Sequence, residues 1–141
     1  PNALQPGKRP RITLTPSLAF RCGKPYMVFG TPGGDQQDQW ALHMFLRHVH
    51  HGLDLQGAVD APEFHTLHMT DSFFPRECAL GHLAVEGRFP TETIRELSNR
   101  GHDVIVYDDY VFGFVCSASW VGKIIRASAS PRYQQAYAIA R

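Results

Sequence analysis

The sequence predicts an α+β fold in which antiparallel strand pairs are layered with helices. Three observations predict it. Apolar and β-branched runs alternate with amphipathic segments in the order β-β-α, then β-β-α-β-β-β. Gly- and Pro-bearing turns separate these runs at short intervals. The chain has 141 residues, 43% hydrophobic and 19% charged, enough to bury the sizeable core of a single domain.

Each element has its own warrant. Residues 1–10, "PNALQPGKRP", hold three prolines and a glycine and read as a loop or arm. "ITLTPSLAF" (12–20) alternates and reads as a strand, with Pro16 marking a bulge or an edge. "RCGKP" (21–25) turns the chain into "YMVFG" (26–30), completing a hairpin. A helix is expected from Gln36 to His51, where Trp40, Ala41, Met44, Phe45 and Val49 share one face. Asp35 suits its N-cap and Gly52 its C-terminal stop. Residues 53–62 hold a short helix ended by Pro62. "FHTLHMT" (64–70) and "ALGHLAVEG" (79–87) alternate as strands. Residues 91–101 form a second long helix, with Thr91 as N-cap, Ile94 and Leu97 inward, and Gly101 past its end. "DVIVYD" (103–108) is a strand, and 113–130 give two more around Val121-Gly122.

Composition excludes several classes of function. A net charge of +1 does not point to nucleic acid or an anionic membrane surface. No apolar run approaches the roughly 18 residues of a membrane span. The start is not a charged-then-apolar leader, and with Pro1 first the chain is expected to be processed or trimmed, so the compartment is left open. Cys22, Cys78 and Cys116 are odd in number and widely spaced, without a CxxC pair. His43, His48, His50 and His51 are expected on one helix in surface and capping roles, with no metal set beside them. His65 and His68 are expected on one strand face in a packing role. Asp108 and Asp109 read as a solvated turn, and Trp120, Tyr133 and Tyr137 as late core or interface.

The richest stretch is "GTPGGDQQDQW" (30–40), where a strand passes through two glycines into a helix. Such a corner exposes free backbone N–H groups and admits close approach, so it suits an anion. The anion could be a phosphate or the oxyanion of an acyl-transfer intermediate. There is no GK[ST] and no GxGxxG to favour phosphate, and a plain tight turn is the competing reading.

"PGKRPRITLTPSLAF", "GKPYMVFGTPGGDQQDQW", "GLDLQGAVDAPEFH", "GHDV" and "SASPRYQQAYAIAR" stand in the order and spacing of one family. The chain resembles the C-terminal two-thirds of the small subunit of gamma-glutamyltransferases, over essentially its whole length. That resemblance implies the C-terminal portion of an N-terminal-nucleophile hydrolase, an αββα four-layer sandwich whose precursor cuts itself in two. It implies an N-terminal threonine that attacks a γ-glutamyl amide, with its own α-amine as base. Gly33 and Gly34 are then the oxyanion hole, and the partner is the large-subunit part of the same precursor. No metal or organic cofactor is implied. The nucleophile lies upstream of "PGKRP" in the family, and Thr13, Thr15 and Thr31 do not match it, so the 141 residues alone are expected to be inactive. Two adjacent serines bind the glutamyl α-carboxylate in familiar members. Ile12 and Thr13 stand at those positions, and Ile12 cannot donate a hydrogen bond. Losing such a bond to a charged group costs roughly 1.5–3 kcal/mol. An acylase of the cephalosporin type and a catalytically dead binding or assembly module are therefore the competing readings. Exposed sheet edges and an apolar face are expected of these residues, favouring self-association, as in a homo-oligomer, or pairing with the missing partner.

Overall fold

The computed structural model describes residues 2–134 and 136–139; Pro1 of the expected arm and Gln135, Ala140 and Arg141 of the expected tail lie outside them. Two sheets organise the chain. The first has strand order β1-β2-β6-β7, all antiparallel, from β1 (Ser17–Arg21), β2 (Lys24–Gly30), β6 (Cys116–Val121) and β7 (Ile124–Ala129). The second is β3 (Phe64–Thr66), β4 (His82–Glu86) and β5 (Asp103–Tyr107). Helices α1 (Gln37–Val49) and α2 (Leu55–Asp60) cover one face of the first sheet, and α3 (Thr91–Asn99) links β4 to β5.

The core lies between the first sheet and α1–α2. Alternation along β2 sends Met27 and Phe29 to the helix side, where Met27 is fully buried with Trp40 and Met44, and Phe29 stacks on Phe45 at 5.8 Å. Further along the same face the sheet carries serines. Ser117, Ser119 and Ser128 are buried, and the Ser117 and Ser128 hydroxyls pair at 2.7 Å. Their small size lets α2 settle with Ala58 fully buried. Asp54 caps α2 by accepting from the Gly57 N–H at 2.7 Å.

The opposite face of this sheet is apolar and open. Leu18, Val28, Trp120 and Ile125 are exposed there, beside Ala118 and Ala127, with Tyr137 near one end. Trp120 and Tyr137 thus belong to an uncovered surface and not to the core.

Several expectations shift. The strand expected over 12–20 begins only at Ser17, because Pro16 cannot donate to a ladder and restricts Thr15 before it. The expected strand 64–70 ends at Thr66 and that over 79–87 starts at His82, because 67–81 leaves as a loop held at its neck by Ala79 N–H donating to the Leu67 carbonyl at 2.9 Å. β4 and β5 pair parallel, so the second sheet contains a β-α-β crossover in place of purely antiparallel pairs. A 3₁₀ turn over Gly34–Gln36 precedes α1, so Asp35 is not its N-cap. Pro90, held extended by its ring, stands where Thr91 was expected to cap α3. His50 and His51 follow α1, and His68 lies beyond β3.

One ion pair ties these parts together. Glu86 and Arg132 are both essentially fully buried. Arg132 Nε and Nη2 donate to the two Glu86 carboxylate oxygens at 2.8 Å each. Arg88 and the backbone N–H groups of Glu63 and Phe112 donate to the same carboxylate. Arg132 also donates to the carbonyls of Val59 and Ala61, at 2.6 and 3.0 Å. Burial pushes the Glu86 pKa up, but Arg132, the two backbone N–H groups and Arg88 outweigh it and hold the carboxyl below its ordinary value.

Breaking one side of this pair leaves a buried charge. Arg132→Met is expected to destabilise the protein by roughly 3–5 kcal/mol, and adding Glu86→Gln to it should recover part of that loss. Urea unfolding of the two variants checks this; a double variant no more stable than Arg132→Met would contradict it.

Candidate functional site

β2 ends at Gly30, and Thr31-Pro32-Gly33-Gly34 carries the chain to α1. Gly33 has φ 135° and Gly34 φ 60°, backbone regions that side chains rarely adopt. Both glycines are also hemmed in. A Cβ on Gly33 would stand 2.2 Å from Trp40 Cζ3, and one on Gly34 3.3 Å from Phe73 Cε2. The Gly33 carbonyl accepts from the Gln36 N–H at 3.2 Å. Among the described residues, neither glycine N–H donates in a loop, turn, cap or side-chain bond.

The loop 67–81 lies against this turn. The Asp35 carboxylate accepts from the Ser72 N–H at 2.5 Å, and this fastens Phe73 beside Gly34. The Ser72 side chain and N–H, with the Arg11 guanidinium at longer range, hold the Asp35 pKa below its ordinary value. Ile12 is exposed and Thr13 half-buried in the irregular segment before β1. Both line a cavity of about 470 Å³ that Ser72, Phe73, Arg11 and Arg76 also line. Gly34 and Thr13, 21 residues apart in sequence, are therefore both neighbours of one Ser72-Phe73 step.

Behind the turn stands an aromatic wall. The Trp40 ring lies against Gly33, 5.4 Å from the His65 ring and 6.2 Å from Phe112. His65 is buried, with Nδ1 unpaired among the described residues, and burial lowers its pKa to about 4. Glu63, the residue before β3, anchors α1 to this wall. Its carboxylate takes His43 Nδ1 at 2.5 Å and Arg47 Nη1 at 3.0 Å. His43 thus has an acidic neighbour that spacing along the helix could not show. His48 Nδ1–H donates to the Leu53 carbonyl and its Nε2 pairs with the Tyr26 hydroxyl, a structural bridge. Asp108 and Asp109 are exposed. Among the described residues no three His, Cys, Asp or Glu side chains are gathered to hold a metal.

Sequence reasoning missed Ser72, Phe73 and Arg76, which sit in a connection long for a compact domain; its length and its "SFFPR" aromatics were the available signal.

A family model described as gamma-glutamyltranspeptidase matches residues 1–140. The chain belongs to the gamma-glutamyltranspeptidase family. A solved structure of LmbA2991 is 48% identical with a TM-score of 0.90, covering 100% of this chain and 26% of that one. The glutathione hydrolase proenzyme of a Pseudomonas species is 42% identical over 71 residues, 50% of this chain. The oxamate amidohydrolase proenzyme of Klebsiella pneumoniae is 36% identical over 113 residues, 77% of this chain. The chain spans 12% and 19% of those two relatives' lengths. A solved gamma-glutamyltranspeptidase and a cephalosporin acylase from Bacillus halodurans share its fold at TM-scores of 0.76 and 0.77. The two sheets and their helices are accordingly part of an N-terminal-nucleophile hydrolase fold.

Two outcomes follow from the geometry of this turn. Gly33→Ala is expected to cost roughly 3 kcal/mol or more, from ring overlap and backbone strain together. Gly34→Ala should cost about 1–2 kcal/mol, mostly strain. Equal shifts of the urea midpoint would contradict the order. His65 gives a pH dependence. Its folded pKa lies below the ordinary value of 6.5, so its contribution is complete above pH 6.5. As pH falls from there toward about 4, the unfolded chain takes up a proton that folded His65 does not, and stability drops by roughly 3 kcal/mol. His65→Phe should flatten that slope between pH 7 and 4.5 in unfolding titrations.

Proposed function

We propose that this chain supplies the oxyanion-stabilising part of an amide-cleaving acyltransferase site, in a precursor of the gamma-glutamyltransferase type. The observation that carries the reading is the Gly33-Gly34 step. Its two amides have no assigned acceptor among the described residues, and it is fixed between Trp40 and Phe73. A rigid pair of free donors is what a tetrahedral oxyanion requires, because the donors need no reorganisation as charge develops.

In this reading the attacking hydroxyl belongs to a threonine elsewhere in the precursor. It adds to the substrate carbonyl as the threonine's α-amine takes its proton. The carbonyl electrons move onto oxygen and are met by the Gly33 and Gly34 N–H groups. Collapse breaks the C–N bond, and the amine leaves with the proton. Water or an acceptor amine then attacks the ester and releases the acyl group. Thr13 offers a hydroxyl to the acyl portion, while Ile12 offers apolar surface where the family's familiar members have a serine. The glutathione hydrolase and oxamate amidohydrolase names among the relatives span γ-glutamyl and much smaller acyl groups. Ile12 favours an acyl preference broader than γ-glutamyl, so an acylase activity is the second reading.

Pre-steady-state assay of the full-length, self-cleaved protein tests this with γ-glutamyl and other acyl p-nitroanilides. A burst of p-nitroaniline is expected, with a matching mass increase on the subunit bearing the N-terminal threonine. Absence of turnover and of acylation with every anilide would sink the catalytic reading and leave a binding or assembly role.

A further inference from the structure

The direction of each glycine N–H is set from behind, by the carbonyl at the other end of its own peptide. The Pro32–Gly33 and Gly33–Gly34 peptides are trans, so in each plane the N–H points opposite to the C=O. Holding the Pro32 carbonyl therefore aims the Gly33 N–H, and holding the Gly33 carbonyl aims the Gly34 N–H.

The two planes are held by different means. The Gly33 carbonyl accepts from the Gln36 N–H at 3.2 Å, the bond that closes the 3₁₀ turn Gly34–Gln36. The backbone leading into α1 supplies that bond, and no side chain is needed for it. The Pro32 carbonyl instead accepts from the Thr31 hydroxyl at 2.8 Å. Among the described residues no backbone N–H of a turn, loop or cap donates to it. In "GTPGG" (30–34) Thr31 is the one residue whose side chain can donate, since proline and glycine carry no side-chain donor.

Little else resists a flip of the first plane. A flip needs only the ψ of Pro32 and the φ of Gly33 to change together, and glycine accepts φ of either sign. Trp40 Cζ3 presses on Gly33 from the α1 side. A ring against the Cα limits where the glycine sits but does not choose which end of the preceding peptide faces the site. A hydrogen bond to that peptide's carbonyl does choose. Flipped, the plane would present a carbonyl oxygen where the N–H had been, and it would repel a developing oxyanion.

We propose that Thr31 is a positioning residue, whose hydroxyl holds the Pro32 carbonyl so that the Gly33 N–H faces the developing oxyanion. Thr31 takes no part in the attack and does not touch the acyl group. This rests on the reading that Gly33 and Gly34 meet the acyl oxygen.

The test uses the full-length, self-cleaved protein with γ-glutamyl and butyryl p-nitroanilide, plus calorimetric binding of butaneboronic acid, whose tetrahedral adduct places an oxygen where the oxyanion forms. Thr31→Val keeps the shape and removes the hydroxyl. It should lower the acylation rate constant per active site about 10- to 100-fold, with KM little changed, and weaken the boronate by a similar factor. Thr31→Ser keeps the hydroxyl and should restore most of both. A smaller burst amplitude with an unchanged rate constant would mean a merely structural role, and a raised KM with unchanged kcat would mean contact with substrate. Either result, or Thr31→Ser as slow as Thr31→Val, overturns the inference while the acyltransferase reading stands. If neither anilide is cleaved but the boronate binds and Thr31→Val weakens it, the positioning role stands and the catalytic reading fails. Neither turnover nor boronate binding overturns both.

Discussion

The buried Glu86–Arg132 pair is the constraint on which the rest of the structure depends. Two charges removed from water must have every lone pair and proton met, or the fold cannot form around them. Meeting that demand brings together parts that are far apart in the chain. Arg132 comes from beyond β7, Glu86 ends β4, and the carbonyls of Val59 and Ala61 close α2. The backbone N–H groups of Glu63 and Phe112 complete the set. The first sheet, the second sheet and the short helix between them are thus fastened at one point that excludes water.

From that point a series of contacts runs outward to the glycine turn. Glu63 donates its own N–H to Glu86 and spends its carboxylate on His43 and Arg47 of α1. This sets the rotation of α1 about its axis and hence where Trp40 stands. Trp40 in turn leaves Gly33 no room for a side chain. On the far side, Asp35 draws in Ser72, and Phe73 closes over Gly34. The turn is rigid because it is pressed from two directions by elements that are themselves anchored. A bound anion would then meet N–H groups already in position, which is the physical content of preorganisation.

Polar satisfaction inside contrasts with apolar exposure outside. Leu18, Val28, Trp120 and Ile125 face outward from a well-ordered sheet, and their spacing follows the same alternation that fills the core on the other side. A sheet with two apolar faces has the pattern of an inner layer and not of an outer one. That pattern agrees with an N-terminal-nucleophile hydrolase sandwich, in which two sheets stack, and with relatives several times longer than these 141 residues.

The sequence by itself determined the local elements and the family. Periodicity placed α1, α3 and most strands because hydrophobic alternation is written residue by residue, and Gly52, Gly101 and Gly122 marked stops where only positive φ serves. Motif order pointed to the glycine step as a candidate site. The tertiary structure alone decided what those elements do to one another. Asp35, well suited to cap a helix, holds a distant loop instead, because its partner Ser72 is 37 residues away. The parallel pairing of β4 with β5 and the burial of Glu63, Glu86 and Arg132 were likewise invisible, since a charged residue in sequence reads as surface until its partners are known.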